Sequence, residues 1–380
     1  MTKLIDVCEF IVDCPHSTAQ DEGRGYPLIR TPNIGKGRFN LDGVHRVSES
    51  VYTKRNLRAT PQDNDLIFAR EAPAGNVAII KNGEKFCLGQ RTVLIRPNPK
   101  YVYPDFLTYF LLAPQQQYEL LGTANGATVA HVNLPTIRNL EINLPELEVQ
   151  HRIADILSAY DDLIENNRKQ IKLLEEAAQR LYKEWFVDLH FPGHEHTKIM
   201  DGVPEGWGRA SVGSLIGKVA RTKQIPTSEY LSNGKIPVID QSREFIAGYT
   251  NEVQAIVKSE VPIIVFGDHT RILKLIQFPF AKGADGTQLI ISASERMPQR
   301  LLYCSLMNID LSNYHYARHF KYLKAEIILL PSKGIADDFE KITDPIFKKI
   351  QSCRDQCCWG QEARDCLLPK LMNGEIELKK

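Results

Sequence analysis

The chain states one pattern twice. Tyr26-Pro27-Leu28-Ile29 returns as Ile236-Pro237-Val238-Ile239, and Leu66-Ile67-Phe68-Ala69-Arg70 as Ile264-Val265-Phe266-Gly267-Asp268. Thr92-Val93-Leu94-Ile95 is matched by Thr287-Gln288-Leu289-Ile290, and Ile142-Asn143-Leu144-Pro145 by Ile328-Leu329-Leu330-Pro331. The offset is roughly 190 residues, far beyond the ~20–50 of a solenoid unit. The repeat is therefore a duplicated domain, and each copy ends in a helical segment. Two related modules on one chain suit a pseudo-symmetric or bipartite target.

At 380 residues the chain exceeds the ~250–300 that one hydrophobic core usually serves, so two or more domains are expected. No apolar run approaches the ~18 residues needed to span a bilayer, and Met1-Thr2-Lys3 leads into a strand-like segment rather than a signal peptide. A cytoplasmic protein without a membrane partner is the expectation. The eight cysteines form no paired framework. A net charge of +1 means that any nucleic-acid site must be a local basic surface.

Residues 1–146 and 207–332 are read as the two domains. Short apolar or alternating runs (26–30, 65–68, 76–80, 91–96, 236–240 and 263–266) are separated by Gly, Pro and Asn clusters, which is strand-and-turn punctuation. A helix is expected from Pro104 to Leu112, with a partner over 300–307. Basic and hydrogen-bonding residues gather in the loops: Arg30, Lys36, Arg38, Arg70, Gln90 and Arg91 in one copy. The other has Arg221, Lys223, Gln241, Arg243, Asp268, His269, Arg271, Arg318 and His319. Arg and Gln can read base edges bidentately, and Lys and Arg grip phosphates. Any one of them is by itself only a solvated side chain. The informative point is that both copies set them at corresponding strand ends.

Residues 147–190 carry coiled-coil spacing. Leu157, Ile164, Ile171, Ala178 and Trp185 recur every seven residues, beside the series Ile153, Tyr160, Asn167, Leu174 and Leu181. Asn167 is a polar residue in the seam, where it can fix register at a cost in stability. After a 191–206 linker and the second domain, residues 333–380 repeat the pattern less cleanly. Phe339, Ile346, Cys353, Gly360 and Leu367 form one row, and Thr343, Ile350, Cys357, Arg364 and Leu371 the other. Pro345 falls where it is tolerated near a helix start or kinks the helix. An antiparallel helix pair of about 40 residues at ~1.5 Å each would make a ruler of ~60 Å. That is nearly two turns of DNA at ~34 Å each. The expected fold is α+β: two similar mixed α/β domains joined by two long antiparallel coiled-coil helices about a pseudo-twofold axis.

No phosphate-binding glycine loop, methyltransferase string or metal-ligand spacing is present; Cys353, Cys357, Cys358 and Cys366 are not arranged as CxxC. Asp268-His269 has no nucleophile beside it. No catalytic or metal site is therefore expected.

Gly126-Ala127-Thr128, Asn133-Leu134 and Pro145-Glu146-Leu147-Glu148-Val149-Gln150 mark the first copy. Gly267-Asp268-His269-Thr270-Arg271, Ala284-Asp285-Gly286 and Arg318-His319-Phe320-Lys321 mark the second, followed by Leu367-Leu368-Pro369-Lys370-Leu371-Met372-Asn373-Gly374-Glu375-Ile376. With the duplication, these make the chain resemble the specificity subunit of Type I restriction–modification enzymes over nearly its whole length. The Pro-Glu-Leu-Glu approach to the first helix is replaced by Pro331-Ser332-Lys333-Gly334 before the second. The resemblance implies two target-recognition domains, each reading half of a bipartite sequence in double-stranded DNA, with helices that fix the unread spacer. It implies a subunit without catalytic activity or bound cofactor. Its partners would be two modification subunits that methylate adenine with S-adenosylmethionine and, through them, restriction subunits using ATP and Mg. The competing reading is a protein-interaction scaffold of duplicated domains without sequence-specific DNA binding.

Overall fold

The structure, a computed structural model, describes residues 2–122, 131–259, 262–283, 285–313 and 318–378. Gly126-Ala127-Thr128 and Ala284 of the motifs above lie outside them. The chain divides into two compact units: Met1–Asn167 with Gln356–Lys380, and Arg168–Asp355. Each unit therefore combines one globular part with a portion of each long helix.

In the first unit the central sheet is antiparallel, in the order Cys8–Asp13, Thr92–Pro97, Leu66–Ala69, Val77–Ile79. Side chains alternate between faces, and both faces are covered. Leu66, Phe68, Val93 and Ile95 join the core that contains Phe106, Tyr109, Ile153 and Leu157. Ile67, Ala69 and Leu94 face a second core with Ile29 and Leu88. Burial on both sides explains why these strands read as near-continuous apolar runs. Beside this sheet, Tyr26–Ile29 pairs antiparallel with Arg46–Val47 and parallel with Cys87–Leu88.

The second unit repeats the plan. Ile263–Gly267 lies between Leu273–Ile276 and Thr287–Ile290, both antiparallel. Ile236–Ile239 pairs antiparallel with Gly248–Thr250 and parallel with Ala281–Lys282. Ile264 and Phe266 face the core shared with the helices, and Ile263 and Val265 the outer one. The copies differ at one edge: where the first has strand Cys8–Asp13, the second has a single bridge between Ile216 and Ser292.

The expected short helices are present as Pro104–Leu112 and Gln299–Met307. Helices Glu49–Arg55, Pro114–Gly122 and His319–Ala325 were not expected; their apolar residues are too few to register as a helical period. Residues 191–206 carry structure of their own: Phe191 is buried against Trp207, and Ile199–Met200 pairs with Val203–Pro204.

The first long helix is Leu147–Tyr182, its last turn widening into a π-helical Lys183–Val187. Gln150 fastens its start, accepting from Tyr103 N at 2.9 Å and donating to Pro145 O at 2.8 Å. The second runs without interruption from Lys333 to Met372, through Pro345. Pro345 lies well inside this helix, where a proline costs a hydrogen bond. Burial of Phe339, Phe347 and Ile350 around it offsets that cost. Within the first unit the helices are antiparallel: Asp161 meets Arg364, Ile164 meets Gly360 and Asn167 meets Gln356. Within the second, Gln170 faces Cys353, Glu175 meets Arg354, and Tyr182 and Trp185 pack on Phe339.

Of the expected packing residues, Ile153, Leu157, Ile164, Asn167, Phe339, Ile350 and Leu371 are buried. Ile171, Leu174, Leu181, Ile346 and Leu367 pack part-buried against the cores, and Tyr160 is part-buried.

Candidate nucleic-acid interface

In the first unit four segments meet at the end of strand Leu66–Ala69. Arg70 N donates to Arg91 O at 3.0 Å, and Val132 N to Arg70 O at 3.0 Å. Gly89 N donates to Ile29 O at 2.8 Å, and Thr31 Oγ1 to Ala72 O at 3.1 Å. A Cβ on Gly89 would stand 2.3 Å from Ile29 O, so this close approach requires glycine.

A polar chain runs across these segments. Arg70 Nη1 pairs with Asp13 Oδ2 at 2.7 Å, its Nε donates to Val132 O at 2.9 Å, and Nη2 lies 2.9 Å from His131 Nε2. A guanidinium can only donate, so His131 Nε2 accepts and Nδ1 carries the proton toward Glu71 Oε1, 2.6 Å away. Glu71 Oε2 then meets Arg91 Nε at 2.9 Å. Arg70 is buried within this chain and orients the others; Arg91 is its outermost member, with a side chain 55% exposed. Arg91 also holds φ +66°, a conformation that costs a branched-free L residue free energy and that glycine adopts freely.

The second unit brings the corresponding segments together with other chemistry. Ala69 pairs with Thr92 and Gly267 with Thr287, which makes Asp268 the counterpart of Arg70. Asp268 N donates to Gly286 O at 2.7 Å and His319 N to Asp268 O at 2.9 Å, mirroring the bonds of Arg70. The charge at this point is thus reversed between the copies. His269 stands where the first copy has Glu71, Gly286 (φ +83°) where it has Arg91, and Gln241 where it has Thr31. Asp268 is buried, its Oδ1 accepting from Phe320 N at 2.7 Å. Gln241 ties the surface together: its Oε1 accepts from His269 N at 3.1 Å, its Nε2 donates to Asp285 O at 2.9 Å, and its carbonyl accepts from Thr270 Oγ1 at 2.6 Å.

Gln90, Arg91 and Arg30 thus gather with Arg70, whereas Arg38 pairs with Asp162 of the first helix at 2.8 Å and Lys36 lies two residues before it. In the second unit Gln241, Asp268, His269, Arg318 and His319 gather. Arg271 (φ +61°) closes the same turn and donates from Nη1 to Leu311 O at 3.0 Å. Lys223 pairs with Glu252 at 3.0 Å, while Arg221 and Arg243 are exposed on flanking loops. Arg318 is exposed and His319 buried. Beneath the 240–246 loop lies Lys274, 4% exposed, whose Nζ donates to the carbonyls of Asp240 (2.9 Å) and Glu244. Burial pushes this amine down to about 8, against the opposing pull of Asp240 and Glu244. Sequence reasoning missed Asp13, Glu71 and Lys274. No spacing signals them, since Asp13 lies 57 residues from Arg70 and meets it only through the sheet.

The two units share one plan, and each carries a polar strand-end surface of its own. The profile of the Type I restriction modification DNA specificity domain matches residues 1–176. The Type I restriction enzyme MjaIX specificity subunit of Methanocaldococcus jannaschii is 27% identical over 363 residues, 89% of this chain and 83% of that one. The MjaVIII specificity subunit of the same organism is 28% identical over 386 residues, 93% and 87% of the two chains. The crystal structure of a Type-I restriction-modification system S subunit from M. genitalium shares the fold, with a TM-score of 0.59 at 17% identity over 97% of this chain and 95% of that one. Residues 1–176 thus match the DNA specificity domain of Type I restriction–modification systems, and the chain is similar to specificity subunits of such systems over most of its length. No helix among the described residues is long and apolar enough to cross a membrane.

Proposed function

We propose that this subunit recognises a bipartite, asymmetric sequence in double-stranded DNA, one half through each strand-end surface. The observation that carries this reading is the pairing of like backbone with unlike chemistry: Arg70 against Asp268, Glu71 against His269, Arg91 against Gly286. Arg91, the exposed member of the first surface, suits a guanine edge, whereas its counterpart Gly286 offers no side chain, so the two halves should differ in sequence. Further residues of the surface are Arg30, Gln90, Gln241 and Arg318, with Arg221, Lys223, Arg243 and Arg271 on its flanks. The helix pair sets the unread spacer between the halves.

In the cytoplasm the subunit recruits two modification subunits, which methylate adenine N6 with S-adenosylmethionine, and through them ATP- and Mg-dependent restriction subunits. Those cofactors belong to the partners. Sequencing the methylated adenines of cells that express the chain with its modification subunits tests the reading. A split motif with unlike halves is expected, and exchange of residues 1–146 for a relative's domain should change one half alone. Unsplit or random methylation, or a change in both halves, defeats it.

A further inference from the structure

In both units the loop that leaves the parallel-paired strand runs back onto the helix pair, and the two fastenings use different chemistry. In the first unit Arg38 Nη2 donates to Asp162 Oδ1 at 2.8 Å, with Glu165 Oε2 3.9 Å from its Nε. Arg364 of the second helix reaches Lys36 O at 3.5 Å, and a Cβ on Gly37 would stand 2.6 Å from Asp161 Oδ2. Residues 36–38 are thus pressed against both helices. In the second unit the Arg354 guanidinium lies 3.9 Å over the Phe245 ring and pairs with Glu175 of the first helix at 2.6 Å.

The fastened loops are bonded in turn to the strand-end surfaces. Gly37 N donates to Val77 O at 2.9 Å, Asn76 Nδ2 to Ile34 O at 2.9 Å, and Thr31 Oγ1 to Ala72 O at 3.1 Å. A shift of residues 34–38 is therefore passed to the turn bearing Arg70 and Glu71. In the second unit Phe245 and Gln241 share the loop whose two ends Lys274 holds, and Gln241 positions His269 and Asp285.

We propose that Arg38 and Arg354 are positioning residues for DNA recognition, fastening each reading loop to the helix pair so that the helices set the alignment of the strand-end surface. The inference rests on the strand-end reading given above. It removes Arg38 from the DNA contacts that its charge and loop position suggest, and the two roles separate experimentally. A phosphate-contacting arginine adds about one unit to the slope of log affinity against log salt, whereas a fastening arginine adds none.

The test uses the full chain assembled with its modification subunits. Methylation is measured on the target duplex and on duplexes mismatched in one half, and binding is measured across a salt series. Arg38→Glu, set against Asp162 and Glu165, should lower discrimination in the first half about tenfold, equivalent to about 1.4 kcal/mol, and leave the second half unchanged. Asp162→Arg combined with Arg38→Glu should restore it. Arg38→Gln, the milder variant, should relax the same half with an unchanged salt slope. Arg354→Met should relax the second half alone. Intact discrimination in these variants, or a slope reduced by about one in Arg38→Gln without rescue by the reversed pair, overturns the proposal. If Arg91→Ala and His269→Ala both leave discrimination intact, the strand-end reading itself fails, which is a separate result.

Discussion

Asn167 Nδ2 donates to Gln356 Oε1 at 3.1 Å, in the seam between the long helices of the first unit. The corresponding pair in the second unit is Cys353 and Gln170, with the sulfur 3.9 Å from Oε1. The two pairs stand 186 residues apart in both members (167 to 353, 170 to 356). A polar side chain in the seam meets its partner in one register only, so these pairs, together with the Asp161–Arg364 ion pair, oppose slippage of the helices.

Asn167→Ala should lower the unfolding free energy by about 1–2 kcal/mol, since Gln356 loses its partner. Replacing Asn167 and Gln356 together by Leu should raise stability above that of the single variant, because no unpaired amide then remains at this position. Urea unfolding of the three proteins checks this; a double variant less stable than the single one would show that the amide pair does not act through register.

Asp161 and Arg364 form a buried ion pair in the same unit, and Tyr109 donates to Asp161 Oδ2 at 2.7 Å. Removing one partner leaves an uncompensated buried charge, so Arg364→Met should cost about 3–5 kcal/mol. Arg364→Met with Asp161→Leu should recover much of the loss. A thermal-melt comparison in which the double variant is no better than the single one would contradict this.

Lys274 gives the protein an alkaline signature. Its folded value, about 8, lies below the unfolded 10.5, so between them the unfolded chain holds the extra proton. Raising the pH removes that advantage, and the contribution of this group to stability improves from about pH 8 to about pH 10.5. Relative to Lys274→Met, the native protein should gain of order 2–3 kcal/mol across that window in urea titrations. Parallel profiles for the two proteins would refute the assignment.

Arg91 sits in a conformation that its counterpart Gly286 adopts without cost. Arg91→Gly should therefore leave stability unchanged or raise it by up to about 1 kcal/mol, despite the loss of the Glu71 ion pair. DNA binding by the assembled complex should weaken at the same time. A variant that is both less stable and fully active would reverse the roles given to Arg91.

Much of the architecture was legible because duplication doubles every local signal. Tyr26–Ile29 and Ile236–Ile239 were matched by composition alone, and both lie between an antiparallel and a parallel neighbour. The heptad rows identified Ile153, Leu157, Ile164 and Asn167 as seam residues because burial in a helix pair follows the seven-residue repeat. The uninterrupted course of the second helix through Pro345 was less legible, since tertiary burial overrides the local penalty. Side-chain roles were hidden for a different reason. Arg38, Arg70 and Arg91 look alike in the sequence, yet their partners Asp162, Asp13 and Glu71 are fixed by tertiary neighbours that no spacing encodes.

The first unit is assembled from two separate stretches, and Leu368 and Leu371 share its core with Leu4 and Phe68. Between those stretches lie the 188 residues of the second unit (168 to 355). At ~5–20 residues per second a ribosome needs roughly 10–40 s to produce them. For that time the emerging chain holds a half-built domain whose Leu157 and Ile164 await their cover. The part of the molecule begun first is the last to be completed, and its nascent form is a ready client for chaperones.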